Sequence, residues 1–439
     1  MPSAPRFAFI LSLGLILPAT TGLAADPPAQ PRPFTIRVVA GAHDRRDSLV
    51  TFDVPPARLD PDQVRTLQVR PIGLLVYARG GGTGSRSVSV AEARRRPDGT
   101  IEATWFLAEP IPAGGEARFE VRGGTASGDV ESPWTATATP GKEIRIGRRP
   151  GRPVFTYNAG PTTPPAAITN PDMIRGAYIH PAFSPAGTLV TGDFSPFHPH
   201  HRGFFLAYTH TRWGDIEPDF WNIQNGSGRI VPDGFDPPTL GPVACLFSVR
   251  HRWEARRATP TGTDDALALR ERWDIATYDV PGSACWLVDL TATQQAVGHP
   301  LELVPHRYGG MAFRSAEPSV NAVLDVLTAE GRHRFDGDQK KTRWVDLTGP
   351  IAAGSPNYAG ALIADHPSNP RYPNVARIHP VTLPFFSFVP GHDESFLIGI
   401  DRPTLFRYRI MIHDGRPDPA LNDRVAADFA APPVVTVLD

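Results

Sequence analysis

The stretch of sequence that determines the fold class is Val249-Arg250-His251-Arg252-Trp253-Glu254-Ala255, where aliphatic or aromatic residues alternate with Arg and Glu. Residues 266–277 repeat this alternation, and residues 285–293 place Trp286, Val288 and Leu290 on one face. A period of two residues is typical of β-strands with one buried and one solvated face. The three stretches therefore predict neighbouring antiparallel strands.

The same pattern continues towards the C-terminus, in residues 383–389, 396–400 and 405–412. About 300 residues of this kind are too many for an ordinary sandwich. They predict a large antiparallel β-supersandwich over residues 141–439.

The part of the chain before residue 140 has shorter strand-like runs, each bounded by Gly, Pro or Asp. These runs are residues 34–39, 49–54, 66–69, 73–77, 101–107 and 117–122. About 100 residues of short strands without a helical period are typical of an immunoglobulin-like β-sandwich. We therefore predict such a sandwich over residues 26–140, a domain boundary near residue 140, and an all-β fold class for the whole chain.

Residues 1–25 have the three-part layout of a secretory signal peptide. Arg6 precedes an apolar run over residues 7–17, and small residues ending at Ala25 lead into a polar, proline-rich stretch. The apolar run is too short to span a bilayer, and no later segment approaches about 18 uncharged apolar residues. The sequence therefore predicts an exported protein, periplasmic or extracellular, without a membrane span.

Charge and cysteine content narrow the function classes further. The chain has 44 basic and 45 acidic side chains, a net charge of −1, which excludes nucleic-acid binding through bulk charge. Its two cysteines, Cys245 and Cys285, lie in separate strand-like stretches. An oxidising compartment would allow one disulfide between neighbouring strands, and two buried thiols are an equally good interpretation.

The densest group of histidines is His198-Pro199-His200-His201-Arg202-Gly203, and five of the 14 histidines lie between residues 180 and 210. Proline biases the preceding residue towards an extended conformation, so His198 and His200 should project to one side and His201 to the other. Two imidazoles on one side can bind a divalent metal, Zn or Ca, if a third ligand comes from elsewhere. Acid/base catalysis, hydrogen bonding to substrate hydroxyls and structural packing are the alternatives.

A second motif, Asp219-Phe220-Trp221, ends a polar loop. A carboxylate beside an indole suits a sugar, whose hydroxyls need acceptors and whose C–H face stacks on an aromatic ring. The start of a strand with a core Trp explains the motif equally well. Asp219 and Trp221 are therefore candidate substrate contacts.

A third motif, His306-Arg307-Tyr308-Gly309-Gly310, places three polar-tipped side chains before a glycine pair. A Tyr beside an Arg can transfer a proton if its pKa is lowered, and the glycines let the backbone turn or approach a ligand. A β-bulge at a sheet edge is an equally good explanation. His306 and Tyr308 are therefore candidate catalytic residues.

A fourth motif, Asp365-His366-Pro367-Ser368-Asn369-Pro370-Arg371-Tyr372, follows a small apolar strand. Loops at strand ends often carry functional side chains, although Pro, Asn and Ser also make simple turns. Asp365 and His366 are candidate acid/base groups, while Asn369 and Arg371 offer an amide and a cation for an anionic group. Trp344, from the upstream Trp344-Val345-Asp346, is a candidate ring-stacking residue.

Taken together and in this order, the motifs resemble a bacterial family often labelled PmoA-like, over about residues 153–439. The residues that carry the resemblance are Tyr178-Ile179-His180-Pro181, Val190-Thr191-Gly192-Asp193, the His198–Gly203 run, Asp219-Phe220-Trp221, Trp344-Val345-Asp346, the Asp365–Pro370 run and His413-Asp414-Gly415. The label refers to a methane oxygenase subunit, but such a membrane subunit needs long apolar spans, which this sequence lacks.

The resemblance implies a secreted β-rich protein with a galactose mutarotase-like supersandwich, in a setting of polysaccharide breakdown. Members of the family tend to carry an acidic residue after the Phe-Trp pair, whereas Asn222, Ile223 and Gln224 follow it in this chain. No catalytic role is assigned to that position.

Our hypothesis from the sequence is a carbohydrate-active enzyme, a glycoside hydrolase or polysaccharide lyase, that cleaves or rearranges a glycan by acid/base chemistry. A non-catalytic glycan-binding protein is the alternative. The hypothesis places the histidines near residue 200 and the Asp365 motif around one cavity. It assigns metal binding to His198 and His200, catalysis to His201, His306, Tyr308, Asp365 and His366, and substrate binding to Arg202, Asp219, Trp221, Trp344, Asn369 and Arg371.

Overall fold

The protein is represented by a computed structural model that describes residues 33–55, 66–72, 88–96, 98–123, 131–195, 198–260, 262–317, 324–352, 355–379 and 383–438. The predicted signal peptide, residues 1–25, and the predicted strand at residues 73–77 lie outside the described residues. None of the helices in the described ranges is long and apolar enough to cross a membrane.

The described residues form mainly β-strands. The strands are β1 Phe34–Val39, β2 Leu49–Val54, β3 Thr66–Ile72, β4 Ser89–Arg95, β5 Ile101–Phe106, β6 Glu116–Gly123, β7 Trp134–Thr139, β8 Glu143–Arg148, β9 Arg152–Tyr157, β10 Ile179–Ala182, β11 Phe204–Ala207, β12 Thr211–Trp213, β13 Gly228–Leu240, β14 Ala244–Thr259, β15 Gly262–Asp279, β16 Cys285–Ala296, β17 Leu301–Leu303, β18 Gly310–Arg314, β19 Asp325–Thr328, β20 Lys340–Lys341, β21 Trp344–Pro350, β22 Tyr358–Asp365, β23 Val375–Ile378, β24 Phe385–Val389, β25 Phe396–Ile398, β26 Thr404–Asp414 and β27 Val434–Leu438. The α-helices are α1 Arg334–Gly337 and α2 Pro419–Ala430. The predicted all-β class is confirmed, with a small N-terminal sandwich and a large antiparallel supersandwich.

The N-terminal part is one seven-stranded antiparallel sheet in the order β2-β5-β4-β3-β6-β1-β27. Its strands alternate buried and accessible residues, and Trp105 and Phe119 lie in the apolar core that they share. The terminal strands β2 and β27 also contact each other, so the sheet folds over its own core. The last of the described strands, β27, therefore completes the N-terminal sheet.

The large part has a nine-stranded sheet, in the order β20-β23-β24-β18-β11-β10-β9-β8-β7, and an eight-stranded sheet, in the order β13-β14-β15-β16-β26-β22-β21-β19. A three-stranded sheet, β12-β17-β25, lies beside them. One apolar core contains residues of both large sheets, for example Phe313 of β18 and Trp273 of β15. The stretches with period two in the sequence are β14, β15 and β16, which pair antiparallel as predicted.

The predicted boundary near residue 140 and the two cysteines have defined positions in the sheets. Residue 140 lies in the turn between β7 and β8, and both of these strands belong to the nine-stranded sheet. Cys245 of β14 and Cys285 of β16 are buried free thiols. Because β15 lies between their strands, two inter-strand spacings of about 4.8 Å separate them, which is beyond the reach of a disulfide.

The polar residues on the inward face of β14 and β15 are hydrogen-bonded to one another. His251 is joined through Nε2 to Tyr157 Oη at 2.6 Å and through Nδ1 to Glu271 Oε2 at 2.7 Å. Trp253 Nε1 and Gln294 Nε2 donate to the same Glu271 carboxylate. This buried network satisfies its own polar groups between the two sheets, so it is part of the core and not of a site.

Candidate functional site

The main candidate site is a cavity of about 380 Å³ over the nine-stranded sheet. Its walls come from the His198–Arg202 loop before β11, the turn at Trp221, the residues before β18, the end of β23 and the start of β24. Its lining residues are His198, His200, His201, Trp221, Asn222, Arg307, Tyr308, Arg377, His379, Leu383 and Phe385. The structure therefore brings together five of the sequence-predicted residues: His198, His200, His201, Trp221 and Tyr308.

Four imidazoles in the lining of this cavity form one cluster. The ring centroids of His200 and His201 are 4.6 Å apart. The ring centroid of His198 lies 5.1 Å from that of His201 and 6.3 Å from that of His379. His201 also stacks on the Phe385 ring at 4.6 Å. His198 and His201 each have a buried Nδ1 without a hydrogen-bond partner among the described residues.

Burial lowers the pKa of all four imidazoles. It lowers the pKa of His200 to about 3, helped by the neighbouring His198 and Arg202, and the pKa of His379 to about 4, helped by Arg377. Burial holds the pKa of His201 well below its usual value and also lowers that of His198. The cluster is therefore neutral at neutral pH, and each ring presents one donor and one acceptor nitrogen.

Arg202 is hydrogen-bonded to the backbone of the histidine loop and does not line the cavity. Its side chain is fully buried, and Nη1 donates to Asp193 Oδ1 at 3.0 Å and to the Pro199 carbonyl at 2.6 Å. Its Nη2 donates to the Met173 carbonyl at 2.8 Å. The prediction that Arg202 contacts substrate is wrong, because these contacts turn the guanidinium into the protein.

Asp219 shapes the turn that carries Trp221 and Asn222. Its Oδ1 accepts hydrogen bonds from the backbone N–H groups of Trp221 and Asn222, and its Oδ2 accepts from Thr209 Oγ1 and Asn222 Nδ2. With both oxygens engaged, Asp219 positions the cavity wall and does not contact the cavity itself. Asn222 Nδ2 also donates to Tyr308 Oη at 3.2 Å, which ties this turn to the third motif.

Trp221 lines the cavity and contacts both His201 and Tyr308. Its ring centroid is 5.6 Å from that of His201 and 5.4 Å from that of Tyr308. Tyr308 is half-buried, and His306 packs edge-on against it at 4.4 Å while stacking on His210 at 4.0 Å. Burial and His210 lower the pKa of His306 to about 4. His306 therefore supports Tyr308 from outside the cavity lining.

Asp365 lies away from the cavity, and its carboxylate is saturated by its own loop. Oδ1 accepts from Asn369 Nδ2 and the His366 N–H, and Oδ2 accepts from both the backbone and side-chain nitrogens of Asn374. Asn374 lies just before β23 and His379 just after it, which separates them by about 16 Å at about 3.3 Å per residue. The predicted meeting of the Asp365 motif with the histidine loop around one cavity is therefore wrong.

The other residues of the fourth motif also have structural partners outside the cavity. Asn369 bridges to the backbone of Arg407, Arg371 donates to the carbonyls of Glu394 and Ser395, and His366 packs edge-on against Phe429 of α2. Trp344 is buried, and its Nε1 donates to Asp423 Oδ1 at 2.9 Å. The motif joins strand ends to the C-terminal helix, so its predicted catalytic and binding roles do not fit its position.

Several cavity residues were not identified from the sequence as site residues: Asn222, Arg307, Arg377, His379, Leu383 and Phe385. His379 stands alone after a short strand, and only its His-Pro pairing, shared with His198-Pro199, could have drawn attention to it. Arg307 lay inside a motif that was singled out for its His and Tyr. Arg377, His379, Leu383 and Phe385 reach the cavity because β23 and β24 lie beside β18 and β11, which no local pattern shows.

The donor set permits a test of the predicted metal. Neutral imidazoles suit Zn, whereas Ca prefers oxygen ligands, so this cavity does not fit Ca. Within the described ranges, no three or more His, Cys, Asp or Glu side chains are placed to hold one metal ion. The imidazoles as arranged therefore do not fit a zinc centre, and we derive no chemical step through a metal.

Fold and cavity together define an all-β protein with a histidine-rich, aromatic-walled cavity over its larger sheet. Residues 147–427 match the model of DUF6807, a family of unknown function, so the chain belongs to this family. No curated protein matches the chain. One similar solved structure is a protein in the glycosyl hydrolase family 38 from Enterococcus faecalis, at 9% identity and a TM-score of 0.35, over 93% of this chain and 47% of that chain.

Proposed function

We propose that this protein is an exported, carbohydrate-active enzyme that cleaves or rearranges a glycan by acid/base chemistry in the cavity. The observation that carries the proposal is one cavity of about 380 Å³ that combines imidazoles and a tyrosine hydroxyl with aromatic walls. Aromatic walls suit the C–H faces of sugars, and a few convergent polar groups orient the hydroxyls. Imidazole and phenol groups also transfer protons. The PmoA-like resemblance of the motifs agrees with this proposal.

Proton-transfer groups are found on both sides of one indole, since the Trp221 ring contacts His201 and Tyr308. A sugar ring in the cavity would therefore have both an imidazole and Tyr308 Oη among its neighbours. No carboxylate is among the lining residues that the structure describes. Because most glycoside hydrolases use two carboxylates, we favour a lyase over a hydrolase.

A non-catalytic glycan-binding protein is the second candidate. The residues after Phe220-Trp221 favour it, because the resemblance implies an acidic residue there in relatives, whereas this chain has Asn222, Ile223 and Gln224, none of which can act as a catalytic acid. The lining residues would then recognise a sugar without transforming it.

The experiment is a glycan panel assayed for binding and for turnover, with wild-type protein, Tyr308→Phe and the control Tyr358→Phe. Tyr358 lies outside the cavity and contacts Arg416, so its hydroxyl is not part of the proposed chemistry. For an enzyme, Tyr308→Phe should lower turnover by about 100-fold or more while affinity changes only a few-fold. Turnover should also survive a chelator, because no step uses a metal.

Two other outcomes would contradict the proposal. Binding without turnover by the wild-type protein would establish the glycan-binding alternative. A protein that neither binds nor transforms any glycan in the panel would exclude both candidates.

A further inference from the structure

The cavity has a charge imbalance that the proposed function does not use. Arg307 and Arg377 line it, and no Asp or Glu is among the lining residues that the structure describes. A pocket whose charged residues all have the same sign and whose walls are apolar focuses its electric field on a bound ligand. Its ligand is therefore expected to be negatively charged.

The two arginines differ in how much of their charge is already neutralised. Arg377 Nη1 donates to Asp338 Oδ2, so its charge is balanced although other N–H groups remain. Arg307 is exposed and forms no ion pair within the described ranges of the chain. Arg307 is therefore the cation that a ligand would neutralise, next to the hydroxyl of Tyr308.

Buried arginines behind the histidine loop add to the positive potential. Arg314 is 1% exposed, pairs with Glu317 through Nη2, and has Nε and Nη1 without partners among the described residues. Arg175 is 4% exposed, and neither of its Nη atoms has a partner among those residues. These groups do not line the cavity, but in a low-dielectric surrounding their charges reach it more strongly than in water.

On the basis of the proposed function, we propose that the sugar in the cavity carries a carboxylate, which makes it a uronate unit, and that Arg307 binds this carboxylate. A guanidinium fork binds a planar carboxylate through two parallel hydrogen bonds. The carboxylate of the sugar also makes its C5–H acidic. Removal of this proton allows the glycosidic bond to be cleaved by elimination, which does not need the two protein carboxylates of a glycoside hydrolase.

The corresponding reaction is a β-elimination that needs no oxidant, reductant or added water. An imidazole nitrogen takes the C5 proton, and the electron pair of that bond forms the C4–C5 double bond. The C4–O4 bond breaks, and O4 leaves with the proton of Tyr308 Oη. The proton on the imidazole returns to Tyr308 through solvent, so that the groups are restored and atoms and electrons balance.

The test compares oligosaccharides of galacturonate, glucuronate, mannuronate and guluronate with neutral oligosaccharides of galactose, glucose and mannose and with a sulfated galactan oligosaccharide. Binding is measured by calorimetry and elimination by the ultraviolet absorbance of the new double bond. The proteins are wild type, Arg307→Gln, Arg307→Lys and the control Arg257→Gln. Arg257 pairs with Asp215 at the surface and does not line the cavity, so its variant removes one equal charge elsewhere.

We expect one uronate oligosaccharide to bind at least tenfold more tightly than its neutral counterpart and to give the ultraviolet signal. Arg307→Gln should weaken this binding at least tenfold, Arg307→Lys should weaken it less, and Arg257→Gln should leave it unchanged. Raising the salt concentration should weaken uronate binding, because the contact is partly exposed.

Other outcomes overturn the inference in distinguishable ways. Equal or tighter binding of a neutral glycan, or binding of the sulfated glycan alone, would refute the uronate while leaving the carbohydrate function intact. Uronate binding that Arg307→Gln does not weaken would refute the role of Arg307. A protein that binds none of these glycans would exclude the proposed function itself.

Discussion

At the scale of single residues, the partners of a polar side chain decide whether it is available for chemistry. Asp219 and Asp365 are residue types often found in active sites, yet both oxygens of each carboxylate accept hydrogen bonds from neighbouring protein groups. The Nη atoms of Arg202 are likewise bound by Asp193 and two backbone carbonyls, which turns the guanidinium away from the cavity. The imidazoles of His198 and His201, by contrast, have a nitrogen without a partner among the described residues and line a cavity. Candidate chemistry therefore follows unused capacity, not residue type.

The first prediction concerns Asp365→Asn. The amide would turn an –NH₂ group towards two donors that now contact a carboxylate oxygen, which leaves buried donors unsatisfied. We expect the free energy of unfolding, measured in urea, to fall by about 3 kcal/mol, with glycan affinity unchanged. Asp401→Asn makes the same chemical change at an exposed position and should leave stability within about 0.5 kcal/mol. A stable Asp365→Asn protein without turnover would instead place Asp365 in the chemistry.

The sequence predicts some of these residues well and others not at all. The density of histidines near residue 200 correctly indicates part of the cavity, because three of its lining residues, His198, His200 and His201, come from one short loop. The sequence around Asp365 resembles a catalytic motif, but in the structure Asn374, nine positions later, donates a hydrogen bond to the Asp365 carboxylate. Such pairings depend on how a loop closes, which a single sequence does not show.

At the scale of elements, strand periodicity is readable from the sequence, but strand neighbours are not. The alternation in residues 249–255 predicts β14 because inward and outward faces differ in polarity along the strand itself. The cavity, however, depends on β11, β18, β24 and β23 being neighbours in this order in the nine-stranded sheet. His379 is more than 170 residues from His200 in sequence, and only that strand order brings their loops together.

The second prediction concerns the loop before β11 and the variant Arg202→Met. Removal of the guanidinium leaves the nearly buried Asp193 without its ion pair and frees two backbone carbonyls. Loss of one partner of a buried pair costs about 3–5 kcal/mol, so we expect a loss of about 3 kcal/mol in unfolding free energy. Amide hydrogen exchange at residues 198–203 should become faster, while exchange in β14 to β16 stays slow.

A matched control for this variant is Arg250→Met. Arg250 is 40% exposed and pairs with Asp236 on the outer face of β14, where an ion pair contributes about 0–1 kcal/mol. If both variants lost the same small amount of stability, Arg202 would not be holding the histidine loop.

The third prediction concerns the junction between the eight-stranded sheet and α2, where His413 contacts Asp346 at 3.3 Å. Asp346 also accepts from Thr348 Oγ1 and from Asn422 Nδ2 of α2. Asp346 raises the pKa of His413 above 6.5 against the opposing effect of burial, and His413 with these hydrogen bonds lowers the pKa of Asp346 below 3.8 despite burial. Both shifts favour the ionised pair.

The signs of these shifts give a pH window for the pair. Because the pKa of His413 is raised in the folded state, the charged imidazole stabilises the fold at pH values below about 6.5. This stabilisation is lost as the pH rises through the folded-state pKa of His413. Because the pKa of Asp346 is lowered in the folded state, the ionised carboxylate stabilises the fold at pH values above about 3.8. This stabilisation is lost as the pH falls through the folded-state pKa of Asp346. The stability difference between wild type and His413→Gln should therefore be largest between about pH 4 and 6.5, at about 3 kcal/mol, and should shrink towards pH 9.

Thermal unfolding of both proteins across this pH range measures the difference. His299→Gln, at an exposed histidine, is the control and should show a small difference at every pH. A His413→Gln penalty that grows with rising pH would contradict the assigned ionisation.

At the scale of the whole molecule, the first and the last of the described strands meet. β27 pairs with β1 in the N-terminal sheet, and Asp428 of α2 accepts hydrogen bonds from Arg45 Nη1 and Ser48 Oγ, both at 2.7 Å. The sequence-based boundary near residue 140 does not account for this return, because nothing local in residues 434–438 tells which of many strands they will join. The small sheet is thus closed by a segment that follows the entire supersandwich.

The fourth prediction tests this closure with two matched double variants of β27. Val435 and Val437 pack against the core of the N-terminal sheet, whereas Val434 and Thr436 alternate with them on the exposed face. Val435→Lys with Val437→Lys adds two charges on the inner face, and Val434→Lys with Thr436→Lys adds the same two charges on the outer face. Only the inner pair should lower the free energy of unfolding, by about 2–4 kcal/mol, because it replaces two half-buried valines. It should also release β27, and the exposed edge of β1 should then promote self-association. Size-exclusion chromatography and urea unfolding measure both effects, and equal behaviour of the two double variants would show that β27 does not close the sheet in solution.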